Sequence, residues 1–210
     1  MKLSLIAAAA WLAASAPAYA HHPLGGKTPD SLMEGLLSGL GHPMIGLDHF
    51  AFIVGVGLLS AYFPRRFALI GVFIVATALG CALMVQGVAL PGAEFVIAGS
   101  VLVVGAALAL SVRPPAPATA ALFAAAGVFH GCAYGEAIVG AEPTPLGAYL
   151  AGFALIQFAI AGAASMLARR LAAPELALAT PVRLAGAVVL GVGLTFLAEN
   201  AEAMFAVAAG

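Results

Sequence analysis

Six apolar segments, each about as long as a bilayer is thick, follow one another along most of this 210-residue chain. A transmembrane α-helix needs about 20 predominantly apolar residues, and its internal hydrogen bonds satisfy the backbone groups that lipid cannot. Only 8% of the residues are charged, whereas a soluble domain carries about 25%. The sequence therefore predicts an all-α, polytopic membrane protein in which residues 21–210 form a single domain of six transmembrane helices. The predicted spans are residues 45–63, 67–90, 93–112, 118–139, 147–168 and 182–199.

The first 20 residues have the features of a secretory signal peptide. Lys2 supplies a positive charge, residues 3–16 form a short apolar core, and Ala18-Tyr19-Ala20 has the small-x-small pattern of a signal-peptidase site. We expect cleavage before His21 and insertion of the mature chain into a bacterial inner membrane. The alternative is that this segment is retained as an additional membrane helix.

The arginines predict the orientation of the spans. All six lie in or beside the loops that follow the first, third and fifth segments, whereas the loops after the second and fourth carry only acidic charges. Basic residues near the ends of spans are retained in the cytoplasm. We therefore expect both mature termini on the periplasmic side, which is also what a cleaved signal predicts. The arginines are Arg65, Arg66, Arg113, Arg169, Arg170 and Arg183.

Residues 21–42 are predicted to lie outside the bilayer. Ser31 and Glu34 have the spacing of a capping box, which marks the start of a helix. The apolar residues that follow share one side of such a helix. We expect a short amphipathic helix that lies on the outer leaflet or packs over the mouth of the bundle. Its apolar face is formed by Leu32, Met33, Leu36, Leu37 and Leu40.

Glycines indicate where two spans pack closely. Gly127, Gly131 and Gly135 recur every four residues in the fourth segment, so they share one face and allow a neighbouring backbone to approach. The sixth segment holds a looser set with the same predicted role, namely Gly186, Gly191 and Gly193.

Ionisable side chains inside the spans are the strongest functional signal, because each costs roughly 3 kcal/mol or more at the centre of a membrane helix. The first cluster is His42, Asp48 and His49. The two histidines are separated by two helical turns and so share a face. Asp48 has a structural alternative, since a carboxylate in the first turn stabilises the N-terminus of a helix. That alternative does not account for the two histidines.

A second cluster, His130, Cys132 and Glu136, lies in the fourth segment. In the predicted orientation both clusters lie toward the outer half of the membrane. Contact between the first and fourth segments would then place three imidazoles and two carboxylates around one cavity. These groups suit Ni²⁺, Co²⁺, Zn²⁺ and Cu²⁺ better than Mg²⁺ or Ca²⁺. We therefore predict a metal site formed by His42, Asp48, His49, His130 and Glu136, with Cys132 as an accessory ligand or a packed core cysteine.

Other polar residues are weaker candidates. Four of them are candidates for lining a path, although hydrogen bonds between helices or solvent exposure also explain such residues. After signal cleavage, two histidines and the terminal amine would begin the mature chain, where they could capture metal. The four path candidates are Gln86, Tyr134, Gln157 and Glu199, and the two accessory histidines are His21 and His22.

The two clusters also carry a family resemblance. His42, five intervening residues and Asp48-His49 resemble the first motif of the HupE/UreJ family of membrane proteins, and the stretch from Phe129 to Glu136, FHGCAYGE, resembles its later motif. Chain length, signal peptide and number of spans also fit this family. The resemblance implies uptake of nickel, or of cobalt in some members, and a functional link to hydrogenase, urease or cobalamin pathways. It also implies that the five predicted ligands line the path of the ion.

We therefore expect a permease for a divalent transition-metal ion, with Ni²⁺ as the first choice and Co²⁺ or Zn²⁺ after it. We expect no catalytic cofactor, and no nucleic-acid partner because the formal net charge is only −1. The chain lacks the Walker A motif, so transport would be facilitated diffusion or coupled to an ion gradient, by a monomer or a homo-oligomer. The alternatives are a zinc-dependent intramembrane hydrolase and an accessory or sensor subunit that binds metal without moving it.

Overall fold

The structure, a computed structural model, describes residues 27–171 and 180–209, with side chains as far as residue 206. The described residues form seven α-helices and no strand, which confirms the predicted all-α class. The predicted signal peptide and the two histidines that follow it lie outside the described residues. The helices are α1 (Leu32–Ile45), α2 (Leu47–Ser60), α3 (Arg66–Val85), α4 (Ala93–Ala109), α5 (Ala116–Glu136), α6 (Pro143–Leu171) and α7 (Thr180–Ala209).

The described helices include fewer clear membrane spans than the six predicted. Four of them, α3, α5, α6 and α7, are long and apolar enough to cross a bilayer. Helices α1 and α2 provide a fifth if they count as one broken span, bent by 83°, while α4 is an apolar helix of only 17 residues. The helix within the predicted first span, residues 45–63, is α2, which is shorter than that span because Gly46 ends α1 and caps α2.

Helix α2 lies at the centre of the bundle. Phe52, Ile53, Val56 and Leu59 are completely buried, and the helix contacts α3, α4, α6 and α7. The remaining helices form three extensive pairs, α3 with α5, α4 with α7, and α1 with α6. The first turn of α2 therefore faces protein instead of lipid, which lowers the cost of placing ionisable side chains there.

The glycine stripe of α5 lies against α3, as predicted. A Cβ atom added at Gly131 would meet the backbone carbonyl of Thr77, and Gly80 of α3 makes the reciprocal approach to the carbonyl of Val128. The two helices are therefore in backbone contact, which only glycine permits at these positions. The other two members of the stripe, Gly127 and Gly135, also face α3.

The contact between α4 and α7 uses two of the three glycines predicted for the sixth segment. Gly186 lies against Leu108, and Gly193 lies against Leu102. A Cβ atom added at Gly191 would have no neighbour within 4 Å, so the predicted role of this glycine in packing is wrong. It lies on the exposed side of α7.

Helix α1 packs against α6 through its small residues and not through its leucines. A Cβ atom at Gly35 would meet the carbonyl of Pro145, and one at Gly39 would meet the carbonyl of Tyr149. Most of the predicted apolar face points away from the protein, since Leu32, Met33 and Leu37 are more than half exposed. An outward apolar face suits a helix in contact with lipid.

The ends of α1 differ in how well the sequence predicted them. Ser31 is the N-cap, and its hydroxyl accepts the Glu34 N–H at 3.2 Å, as the capping box requires. The C-terminal end continues through His42 and Pro43 to Ile45. The sequence predicted that this stretch lies on the outer leaflet or over the mouth of the bundle. His42 is buried in the protein, so the end of the stretch lies inside the bundle instead.

Opposite charges collect at opposite ends of the bundle. At one end, Arg169 donates to the carbonyl oxygen of Ala61 at 3.0 Å, and Arg183 donates to that of Ala109 at 3.2 Å. These carbonyls end α2 and α4, where a cation is stabilised by the helix dipole. All six arginines lie at this end, and all eight acidic residues of the described segments lie toward the other. This distribution agrees with the arginine pattern read from the sequence.

Candidate functional site

Two histidines from distant parts of the sequence meet inside the bundle. The Nδ1 atoms of His49, in the first turn of α2, and His130, in α5, are 2.9 Å apart. Their side chains are almost completely buried. The first and fourth predicted segments thus contact each other at the two clusters, in the half of the bundle remote from the arginines.

His130 is held on both sides by other helices. Its Nε2 atom lies 3.1 Å from the hydroxyl of Ser100 in α4. Its ring stacks on the ring of Phe52 in α2, with centroids 4.4 Å apart and an angle of 22° between the planes. The orientation of this imidazole is therefore defined by hydrogen bonds at both nitrogens and by stacking on one face.

A chain of hydrogen bonds links the two imidazoles to α4. The Ser100 hydroxyl donates to the carbonyl oxygen of Ile97 at 2.7 Å and lies within hydrogen-bond distance of Nε2 of His130, whose Nδ1 atom in turn faces Nδ1 of His49. One arrangement of the hydrogens, in which His130 donates to Ser100 and His49 donates to His130, would present the Nε2 atom of His49 as an unprotonated nitrogen, the form in which imidazole binds a metal ion.

His42 is oriented by a different partner. The hydroxyl of Tyr149, in α6, donates to the carbonyl oxygen of Tyr134 at 2.6 Å and lies 3.0 Å from Nδ1 of His42. While its proton bonds to that carbonyl, the Tyr149 oxygen can accept from Nδ1–H of His42, an arrangement that would leave the Nε2 atom of His42 unprotonated. The rings of His42 and His49 have centroids 6.3 Å apart.

Tyr134 and Asp48 border these two histidines. The ring of Tyr134 lies 5.3 Å from that of His42 and 4.7 Å from that of His49, measured between centroids. Its hydroxyl is buried and has no hydrogen-bond partner within the described part of the chain. The buried Asp48 carboxylate interacts electrostatically with this hydroxyl and accepts the backbone N–H of His49 at 2.8 Å.

The remaining predicted residues are distributed around this centre. Glu136 is exposed at the end of α5, and Glu199 of α7 is partly buried and interacts electrostatically with Asp48. The thiol of Cys132 donates to the carbonyl oxygen of Gly80 at 3.3 Å, in the α3–α5 contact. Within residues 27–171 and 180–206, no three His, Cys, Asp or Glu side chains converge closely enough to hold one metal ion.

The two glutamines differ in position. Gln157 is completely buried in α6, where its amide donates to the Phe153 carbonyl oxygen and its own oxygen lies 3.4 Å from the Thr77 hydroxyl of α3. Gln86 is exposed at the end of α3 and donates to the carbonyl oxygen of Ala82 in its own helix. Only Gln157 therefore lies in the interior of the bundle.

Three residues of the site are absent from the set predicted from sequence. Ser100 and Tyr149 lie within hydrogen-bond distance of the imidazoles of His130 and His42, and Phe52 stacks on His130. A serine, a tyrosine or a phenylalanine in an apolar segment is too common to stand out. Their roles depend on which helices are neighbours, and the sequence pattern does not contain that information.

Comparison with known proteins identifies a matching family and a curated relative. The sequence pattern of the family described as "HupE / UreJ protein" matches residues 9–196. Among curated proteins, the chain is 35% identical over 124 residues to Protein HupE of Rhizobium leguminosarum bv. viciae, a match that covers 57% of this chain and 63% of that protein. The similarity therefore spans less than two thirds of the relative. No solved structure matches the chain.

Proposed function

This chain belongs to the HupE/UreJ family, and we propose that it is a membrane permease for a divalent transition-metal ion. Membership in this family indicates a role related to nickel or cobalt transport. The apolar helices agree with a multi-pass membrane protein. The preferred substrate in this proposal is Ni²⁺, followed by Co²⁺ and Zn²⁺. The imported ion would supply a nickel enzyme or a cobalamin pathway.

The positions of His42 and His49 are the observation that supports this proposal most. Both imidazoles are buried, each has a hydrogen-bond partner at Nδ1, and their ring centroids are 6.3 Å apart. A metal ion bonds to imidazole nitrogen at about 2.0–2.1 Å, so one ion between two such rings requires a separation of about 6 Å. Metal-binding histidines in other proteins are oriented by a hydrogen bond at the ring nitrogen that does not bind the ion.

The charge distribution supports a direction for transport. We propose that the acidic end faces the periplasm and the arginine end faces the cytoplasm, in a bacterial inner membrane. Acidic residues at the periplasmic mouth would raise the local concentration of a divalent cation. Asp48 lies beside the histidines and would replace part of the hydration shell of the ion.

A polar route through the remaining bundle is proposed from buried side chains farther toward the arginine end. The Gln157–Thr77 pair joins α6 and α3 in the interior. Beyond it, the hydroxyls of Ser60 in α2 and Ser165 in α6 are completely buried and have no hydrogen-bond partner within the described segments. Weak oxygen ligands beyond a stronger nitrogen site would let the ion leave inward.

The test is metal flux through the purified full-length protein in proteoliposomes that contain a metal-sensitive dye. We expect dye quenching with external Ni²⁺ or Co²⁺, and none in protein-free liposomes. Stoichiometric binding of Ni²⁺ without flux would contradict the permease and favour an accessory or sensor subunit. Hydrolytic activity that requires Zn²⁺, again without flux, would favour the hydrolase.

Tyr149→Phe tests the role of the hydroxyl that positions His42. The substitution keeps the ring but removes the group that accepts from His42, so we expect metal affinity to fall by about 10- to 100-fold. The measurement is the Ni²⁺ concentration that gives half-maximal uptake. Tyr62→Phe is the matched control, because the Tyr62 hydroxyl has no partner among the described residues and lies at the arginine end. Equal effects of the two substitutions would contradict the proposed role of Tyr149.

A further inference from the structure

An apolar groove opens at the arginine end of the bundle, between the first turns of α3 and α5. Its volume is about 480 Å³, and its walls include Phe63, Ala68 and Val72 on one side and Ala116 and Ala120 on the other. Arg65 belongs to the lining and is exposed. The groove therefore combines an apolar floor with a cationic side chain at its rim.

The rim of the groove carries positive charge without a balancing carboxylate. Within the described segments, Lys27 forms ion pairs with carboxylates at the opposite end of the bundle. Arg65 forms no such pair there, and the Nε atom of the adjacent Arg66 is buried without a hydrogen-bond partner among the described residues. Arg113 lies three residues before Ala116 and stacks over the ring of Tyr62, 5.1 Å from its centroid.

Two helix N-termini add to this positive potential. Both α3 and α5 begin at the groove, and neither start has a side-chain cap. The positive ends of the two helix dipoles therefore lie at the groove. A phosphate at a helix N-terminus is a common arrangement.

We propose that this groove binds an anionic phospholipid, with one acyl chain along the apolar floor and the phosphate against Arg65 and the two helix starts. Charge complementarity favours a lipid in this groove, as does the position of the groove on a membrane protein at the end where all six arginines lie. Basic pockets between membrane helices on the cytoplasmic side, where we propose that the arginine end lies, bind anionic lipid headgroups. This site is separate from the histidine cluster and does not depend on the transported ion.

The test is lipid retention by the full-length protein, measured by native mass spectrometry with phosphatidylglycerol and phosphatidylcholine of identical acyl chains. We expect preferential retention of phosphatidylglycerol by the wild type. Arg65→Gln should reduce that preference by about fivefold, whereas Arg65→Lys should keep most of it. Arg170→Gln, which removes an exposed arginine at the same end but outside the groove, should retain it.

Three outcomes would overturn the proposal. Equal retention of both lipids by the wild type would show that the headgroup charge is not recognised. Equal loss of preference in Arg65→Gln and Arg170→Gln would indicate general attraction to the arginine end and no site in the groove. Displacement of phosphatidylglycerol by millimolar inorganic phosphate would identify a site for free phosphate. Ala68→Phe supplies a further test, since filling the groove should reduce retention of both lipids.

Discussion

Proteoliposomes that contain the His49→Ala protein are expected to take up no more Ni²⁺ than protein-free liposomes. His49 supplies a buried imidazole whose Nδ1 atom bonds to His130 and whose Nε2 atom is the proposed metal ligand. Alanine removes this nitrogen and leaves no other imidazole at the same position. The measurement is the initial rate of dye quenching at saturating Ni²⁺.

A series of variants distinguishes loss of the metal-binding imidazole from loss of the hydrogen bonds that orient it. Ser100→Ala removes only the hydroxyl that accepts from His130, so we expect it to weaken Ni²⁺ affinity by about 10-fold while transport persists. His49→Gln keeps a polar side chain in place of the imidazole and should also abolish uptake. Thermal unfolding in detergent checks that each variant is folded. Wild-type uptake by a folded His49→Ala protein would contradict the proposed role of His49.

The same substitution, glycine to alanine, is expected to have opposite effects at two positions of the α3–α5 pair. At Gly131 a Cβ atom would collide with the backbone of Thr77, which cannot move unless the helices separate. We expect Gly131→Ala to lower the free energy of unfolding by about 1–3 kcal/mol. The thermal unfolding midpoint of the purified protein measures this loss.

Gly71→Ala in α3 is the matched control. Nothing lies within 4 Å of a Cβ atom added there, and alanine favours the helical state over glycine by about 1 kcal/mol. We therefore expect an unchanged or slightly raised unfolding midpoint. A similar decrease in both variants would show that the loss at Gly131 does not come from the helix contact.

Much of the helical architecture followed from local patterns. Long apolar segments predict helices because lipid excludes any backbone group that is not internally bonded, and each of the six predicted segments contains a helix. The Gly127, Gly131 and Gly135 stripe predicted a close contact because four-residue spacing places glycines on one face. Their partner, α3, could not be named, since the spacing describes one surface only.

The break between α1 and α2 shows where local patterns failed. Residues 45–63 are apolar apart from Asp48, His49 and Ser60, and hydropathy does not distinguish a straight span from a bent one. Gly46 lies at the bend, where an added Cβ would come within 2.7 Å of the His49 ring. The bend also moves His42 into the protein, next to Tyr149.

The two polar clusters could be recognised from the sequence alone, because ionisable residues in an apolar chain are costly and therefore conspicuous. The contact of His49 with His130 was the condition for the predicted site, and the structure shows that contact. The gathering of three imidazoles and two carboxylates around one metal ion remains a prediction. The hydrogen-bond partners of the imidazoles depended on tertiary structure entirely, because Ser100 and Tyr149 lie on two other helices. The sequence by itself therefore determined that the chain is helical, apolar and equipped with buried imidazoles. Only the packing of α2 among its neighbours decided which side chains orient those imidazoles, because their partners come from helices that are distant in sequence.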